Sequence, residues 1–371
     1  MTAVQQEGRT LNFASPKLRN DKEVVLTAVR QRGSVLIFAS KKIRNGKDIV
    51  IAAVQQNGFA LAYASKKLCD DKDVVMAAVR QNGLALQFAS ERLRNDKDVV
   101  MTAVTQHGLA LQYASERLCN DKDVVMTAVQ QTGLTLQFAT KSLRNDKEVV
   151  LQAIKNNGWS LQYASKELRN DRNIVTAAVR QNGWALQFAS KKLYNDKEVV
   201  LNAVQQTGLT LQFATESLRN DKEVVLSAVK QSEWALAYAS DKLRSNKNIV
   251  MDAVRQDGRT LKYASKELHN DKNVVMLAVQ QNGFALAYAS KELQDDKEIA
   301  LTALQNGSDM FIHISPRLQQ DQEVQKAAGL EPDIVQEPDK PDIDTVLGDA
   351  KKWCQEHNDA PTVQPQHNIE R

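Results

Sequence analysis

A glycine returns every 25 residues through most of this chain, at Gly8, Gly33, Gly58, Gly83, Gly108, Gly133, Gly158, Gly183, Gly208, Gly258 and Gly283. The surrounding unit, as in D-K-E-V-V-L-T-A-V-R-Q-R-G-S-V-L-I-F-A-S-K-K-I-R-N from Asp21 to Asn45, recurs without insertion or deletion up to Gln320. A unit this short cannot bury its own apolar residues and must cover them with the next copy. That constraint defines a quasi-one-dimensional array in which each unit packs mainly on its neighbours.

The first half of a unit reads as an α-helix. Asn20 followed by Glu23, repeated as Asn95 with Asp98 and Asn145 with Glu148, sets a capping side chain three residues before an acid. Gly33 and its equivalents are expected to end the helix in a left-handed conformation. In between, Val24, Val25, Leu26, Ala28 and Val29 cover roughly 200° of the helical wheel, too wide for a one-sided surface helix. Glu23, Thr27 and Arg30 form the exposed ridge. The second half, S-V-L-I-F-A-S-K-K-I-R-N, reads as another helix with two apolar sides, where the residue after the glycine pairs with the aromatic four places later.

These features predict an all-α fold, an α-solenoid of either hand with about thirteen 25-residue two-helix repeats over residues 1–325. With helices stacked ~8–10 Å apart, it extends on the order of 100 Å. Pro16 and Pro316 sit at one repeat position in the first and last units, and no proline falls between them. The last unit is degenerate, with Ser308 in the glycine column, and reads as a polar cap. Residues 326–343 form an acidic, proline-rich linker, and residues 344–371 a tail with one short amphipathic helix around Trp353. The chain starts in mid-unit, which predicts a fraying first helix and raises the reading that it is a fragment of a longer, effector-like protein.

At the level of N-D-K-E-V-V-L-x-A-V-x-Q-x-G-x-A-L-x-[FY]-A-S-x-x-L-R-N-D, the sequence resembles a short tandem-repeat family catalogued as domain of unknown function 4116. The resemblance covers residues 1 to about 325. It implies a helical interaction module of the kind found in multi-copy arrays in protists and some intracellular bacteria, and it assigns no catalytic residue.

Composition narrows the functional classes. The whole chain carries a formal +4, but Glu331–Arg371 holds ten acids against four bases, which leaves +10 on residues 1–330. That is under one charge per unit, too dilute to argue for nucleic acid by itself. No apolar run approaches the ~20 residues that cross a bilayer, and the N-terminus lacks signal-peptide features. Cys69, Cys119 and Cys354 have neither disulfide nor zinc spacing, and the five histidines are scattered. A cytoplasmic protein is expected, with no metal, no cofactor and no catalytic residue. Serines such as Ser40, Ser65 and Ser90 recur in every unit, whereas a nucleophile would be singular.

Candidate sites therefore lie in repeated columns and in units that break the pattern. The column after the glycine is large and apolar at its centre, and Trp159, Trp184, Trp234, Phe59 and Phe284 are its candidate partner-binding residues. Inter-unit packing is the plainer reading of the same column. A basic edge is expected at Arg44, Arg94, Arg144, Arg169, Arg219 and Arg244. Lysine or arginine also holds the second place of every unit from Lys22 to Lys297, and because acids such as Asp21 and Glu23 sit beside these bases, a salt-bridged, solvated edge is the plainer reading of both lines. Glutamine or asparagine stands two places before every glycine position, as in Gln6, Gln31 and Asn306, and reads as helix-end hydrogen bonding rather than base readout. Glu233 breaks the glycine column. The leading expectation is a non-enzymatic scaffold for a protein or peptide partner; the alternative is RNA or another acidic polymer along a basic or amide-lined face.

Overall fold

The computed structural model describes residues 7–330. Residues 1–6, the linker from residue 331 onward and the tail helix expected around Trp353 lie outside the described residues. From Lys22 to Gln281 each unit contains one ten-residue α-helix, such as Lys72–Gln81, followed by one six-residue 3-10 helix, such as Gly83–Phe88; the last two α-helices, Lys297–Gln305 and Gln322–Ala327, are shorter. A short turn follows the 3-10 helix, either a single α-turn such as Glu91–Arg94 or a 3-10 turn such as Leu143–Asn145. No strand occurs among the described residues. Successive α-helices pack on one another, and successive 3-10 helices do the same, so the all-α solenoid has parallel columns of like elements.

Burial explains why the units stack. Val74, Val75, Ala78, Val79 and Leu86, with their equivalents along the array, are fully buried. Removing a Val or Leu side chain from water contributes about 1.5–3 kcal/mol, and here the covering surface belongs to the next unit. Both flanks of the α-helix are used, as its wide apolar arc requires.

The N-cap falls one residue later than the Asn20 spacing suggests. Asp21 accepts hydrogen bonds from the backbone N–H groups of Glu23 and Val24, both at 3.0 Å. The preceding asparagine serves the adjacent unit instead: Ser40 Oγ donates to Asn20 Oδ1 at 2.6 Å, and Ser65 Oγ to Asn45 Oδ1 at 2.7 Å. Alongside, the Ser40 N–H donates to the Arg19 carbonyl at 3.0 Å. The recurrent serine thus joins units through both backbone and side chain, and it also caps the short turn, as when Ser90 Oγ accepts from Leu93 N–H at 3.2 Å.

The glycine column also departs from expectation. Among the described glycines, positive φ occurs only at Gly307 and Gly329, outside the repeating column. The residue before each glycine is extended, for example Asn82 at φ −152°, and the glycine opens the 3-10 helix. What excludes a side chain is the next unit. A Cβ on Gly33 would stand 2.1 Å from the Ala53 carbonyl oxygen, and along the column the corresponding separation is 2.1–2.8 Å. Glycine is therefore required for backbone approach between units.

The second helix of the unit is present but wound at three residues per turn. That changes which side chains share a face, because i and i+3 eclipse in a 3-10 helix. Gly83 and Leu86 point to the core, while Leu84 and Gln87 lie together; Gln87 Nε2 donates back to the Leu84 carbonyl at 3.1 Å. The column of amides before the glycines is structural too. Gln31, Gln81 and Gln181 accept from the N–H of Gly8, Gly58 and Gly158 in the preceding unit at 2.6–2.7 Å. Asn156, Gln256 and Asn306 use the same place to donate to the preceding unit's Val129, Val229 and Val279 carbonyls.

Candidate binding face

The 3-10 column sets out the apolar residues that follow each glycine. Phe59 and Trp159 are each 37% exposed and Phe284 is 52% exposed, whereas Trp184 and Trp234 are half-buried. The aromatics that close the inner 3-10 helices, Phe88, Tyr113, Phe138, Tyr163, Phe188 and Phe213 among them, are also half-buried, whereas Phe13 and Tyr288 towards the ends are exposed. The i,i+4 pairs expected within a unit do not form. Instead each ring meets the closing aromatic of the next unit edge to face: Phe59 with Phe88 at 6.1 Å, Trp159 with Phe188 at 5.4 Å, Trp184 with Phe213 at 5.9 Å, and Trp234 with Tyr263 at 5.9 Å between centroids. The winding explains the exchange, because residues four apart in a 3-10 helix are rotated by a third of a turn.

A stripe of leucines and aromatics thus runs from Leu84 to Trp234, each residue half sunk between units and half open. Beyond Trp234 its chemistry changes. Arg259 and Lys262 lie over the Trp234 ring, 5.4 and 4.9 Å from its centroid, and Lys262 also approaches Tyr263 at 4.6 Å.

The two basic columns differ. Apart from Lys222, each base at the second place of a unit from Lys22 to Lys297 reaches at least one carboxylate of the next unit. Lys72 contacts Asp96 at 2.8 Å and Asp98 at 2.9 Å; Lys97 repeats this with Asp121 and Asp123; Arg172 bridges Asp196 and Glu198, both at 2.7 Å. Hydrogen bonds that the Lys72 ammonium donates to Asp96 and Asp98 hold its pKa above its ordinary range. Partial burial works against the Asp96 carboxylate, yet the Lys72 ammonium and the N–H groups of Val99 and Asp98 outweigh it and keep it below the usual range. The exposed pairs contribute little individually. Together they neutralise this line of bases.

The arginine column is different. Arg44, Arg94, Arg144, Arg169, Arg219 and Arg244 are half-buried, and each has a buried Nε with no hydrogen-bond partner. At the same place in other units, Cys69, His269 and Gln294 contact the carbonyls of Leu61, Leu261 and Leu286 at the end of their own 3-10 helix. The column therefore packs against that helix end. Among these arginines only Arg244 makes an ion pair, with Asp241. Clefts between units join this edge to the closing aromatics of the 3-10 helices. One brings Phe138 together with Arg117, Lys141 and Arg144, and the next brings Tyr163 together with Lys141, Arg144, Lys166 and Arg169. The lysines beside the arginines gave no separate signal in sequence, because their proximity to the aromatics depends on the 3-10 winding.

One junction is irregular. Glu233 opens its 3-10 helix where every other unit but the last has glycine, and the flanking helices Lys222–Gln231 and Lys247–Gln256 touch over a smaller stretch than the pairs on either side. Asn246 and Asn248 replace the acids that would meet Lys222, which has no ion pair among the described residues. Ser245 replaces the asparagine, leaving Ser265 Oγ buried without a partner.

Cys69 and Cys119 are free thiols whose pKa burial pushes up. No group of three or more metal-ligating side chains occurs among the described residues, and no described helix is long and apolar enough to cross a membrane.

Fold and surface together define a tandem helical-repeat protein built as a solenoid. The chain belongs to the family described as Domain of unknown function (DUF4116), whose model matches residues 1–44, 46–94, 96–144, 146–194, 196–244, 223–269, 246–294 and 271–319. Most matches span about two 25-residue units, so the family model takes a pair of units as its repeat. No curated protein and no solved structure matches the chain.

Proposed function

We propose that this chain is a non-enzymatic repeat scaffold that binds a protein or peptide partner along its 3-10 face. The observation that carries the reading is the half-open stripe from Leu84 to Trp234. Contiguous apolar surface of this kind, containing tryptophan and rimmed by polar groups, is the usual composition of a protein-binding patch. The edge-to-face contacts between units keep the rings ordered before any partner arrives, which lowers the entropic cost of association. The neutralised lysine column supports the same reading, because those bases already have carboxylate partners and are poor contacts for a phosphate backbone.

Affinity capture with the full chain tests the reading. A protein retained after nuclease treatment, and lost when Trp159 and Trp184 are both replaced by alanine, is the expected result. Retention unaffected by the double replacement would remove the stripe from the account, and loss of all captured protein on nuclease treatment would favour a nucleic-acid partner.

A further inference from the structure

The arginine edge has a partner chemistry of its own, and the argument rests on the scaffold reading above. Across the three short turns from Thr140 to Tyr194, the edge carries Lys141, Arg144, Lys166, Arg169, Lys191 and Lys192, and its one acid is Glu167. None of these six cations makes an ion pair among the described residues, although the neighbouring lysine column is paired almost throughout. The contrast is local. Towards the C-terminal end, Asp241, Glu267 and Glu292 interleave with the bases and dilute the charge. The excess positive charge on the three turns from Thr140 to Tyr194 therefore comes from their having a single acid, Glu167, against six bases.

Two further observations limit what such an edge can accept. Lys141, Arg144, Lys166 and Arg169 line clefts with the half-open rings of Phe138 and Tyr163, and with Glu116 in the first cleft and Glu167 in the second, so a bound chain meets a net positive charge and apolar surface side by side. The charges also repeat with the unit. Stacked helices advance about 8–10 Å per unit, and an extended chain in the polyproline II conformation, which returns every third residue to the same face, advances about 9 Å over three residues. An acid at every third position of an extended peptide can thus address one unit after another in register.

We propose that the edge from Thr140 to Tyr194 binds an extended acidic segment of a protein partner, with carboxylates at every third residue meeting the lysine and arginine heads and the residues between them lying against the aromatic stripe. The cations act as a line of charge that sets register and accelerates encounter, and the binding is accordingly salt-sensitive.

Fluorescence anisotropy with the full-length protein tests this. The probe is a labelled twelve-residue peptide with glutamate at every third position and leucine and serine between. Its comparison peptides are one of the same composition with the four glutamates in a block, and one with the leucines changed to serine; a twelve-nucleotide oligouridine forms the fourth arm. The periodic peptide is expected to bind at least fivefold tighter than the blocked one, and the double variant Lys141→Glu, Lys166→Glu to weaken it at least tenfold. A control with the same charge change on exposed α-helix positions, Lys155→Glu, Lys230→Glu, should lose far less. All four lysines are exposed, so folding is not at stake.

No binding of the periodic peptide at low salt, equal affinity for the blocked peptide, or equal losses in the two double variants would overturn the proposal. Tighter binding of oligouridine with displacement of the peptide would overturn it in favour of a nucleic-acid surface. The leucine-to-serine peptide separates the two readings: if it binds as well as the periodic peptide, the apolar stripe fails while the acidic-segment proposal stands.

Discussion

Replacing Gly83 separates the two roles a recurring glycine can have. A Cβ at Gly83 would stand 2.2 Å from the Ala103 carbonyl oxygen, 3.1 Å from its carbonyl carbon and 3.2 Å from the His107 nitrogen. All three are backbone atoms of the next α-helix, Lys97–Gln106, or of its C-cap His107, so no flexible side chain can yield. Reaching even the 3.0 Å limit of real Cβ contacts requires the units to part by at least ~0.8 Å, against a helix whose Val99, Val100, Ala103 and Val104 are fully buried. Overpacking of this kind costs about 1–3 kcal/mol, while the lost backbone freedom of the unfolded chain returns about 0.4–1 kcal/mol, so Gly83→Ala should destabilise by about 1–2 kcal/mol. Gly83→Asn is the discriminating partner. A left-handed helix end tolerates asparagine much better than alanine, whereas a close backbone approach makes asparagine at least as harmful. Urea unfolding of both variants, followed by circular dichroism, measures the order, and hydrogen exchange should show faster opening where residues 71–95 meet 96–120. If Gly83→Asn is as stable as the parent, or clearly more stable than Gly83→Ala, the close-approach explanation is refuted.

The irregular junction should respond in the opposite direction. Glu233→Gly allows the units to close and is expected to raise the unfolding midpoint, with a gain on the order of 1 kcal/mol; an unchanged or lowered midpoint contradicts this. Ser245→Asn restores an acceptor for Ser265 Oγ and should stabilise by about 0.5–1.5 kcal/mol, and destabilisation in the same unfolding assay would count against it. Asp121→Ala removes a cap to Asp123 and Val124 and a pair with Lys97, and should cost about 0.5–2 kcal/mol near neutral pH. Burial opposes the Asp121 carboxylate, but Lys97 and the backbone donors hold its pKa below the ordinary value of 3.8. The associated stability is thus present above about pH 4 and is lost as pH falls through the depressed folded pKa, so parent and variant should converge in acid. A difference that persists undiminished at pH 2 would contradict the assignment.

The fold was legible in the sequence because a strict period leaves few alternatives: the wide apolar arc around Val24 and Val25 already demanded neighbours on both flanks. Local geometry was less legible. Asn20 and Asp21 are both good capping residues, and only the position of Ser40 in the next unit decides between them. Likewise the glycine period is compatible with a left-handed helix end or with close backbone approach, and the two differ only in where the next helix lies. The aromatic column was visible, but its pairing was not, since the Trp159–Phe188 contact follows from 3-10 winding plus one repeat length. The contrast between paired and unpaired bases was hidden for the same reason, because the acids that neutralise Lys72 belong to the following unit.

The functional claim is tested most directly by site-specific photocross-linking from the full chain, with a benzophenone amino acid placed at Trp184 on the 3-10 face or at Leu151, which is 42% exposed in the α-helix Lys147–Asn156. A discrete protein adduct from position 184, absent from position 151 and suppressed by Lys141→Glu, Lys166→Glu, is the predicted result. Adducts that form equally from both positions, or only from position 151, would contradict binding along the 3-10 face.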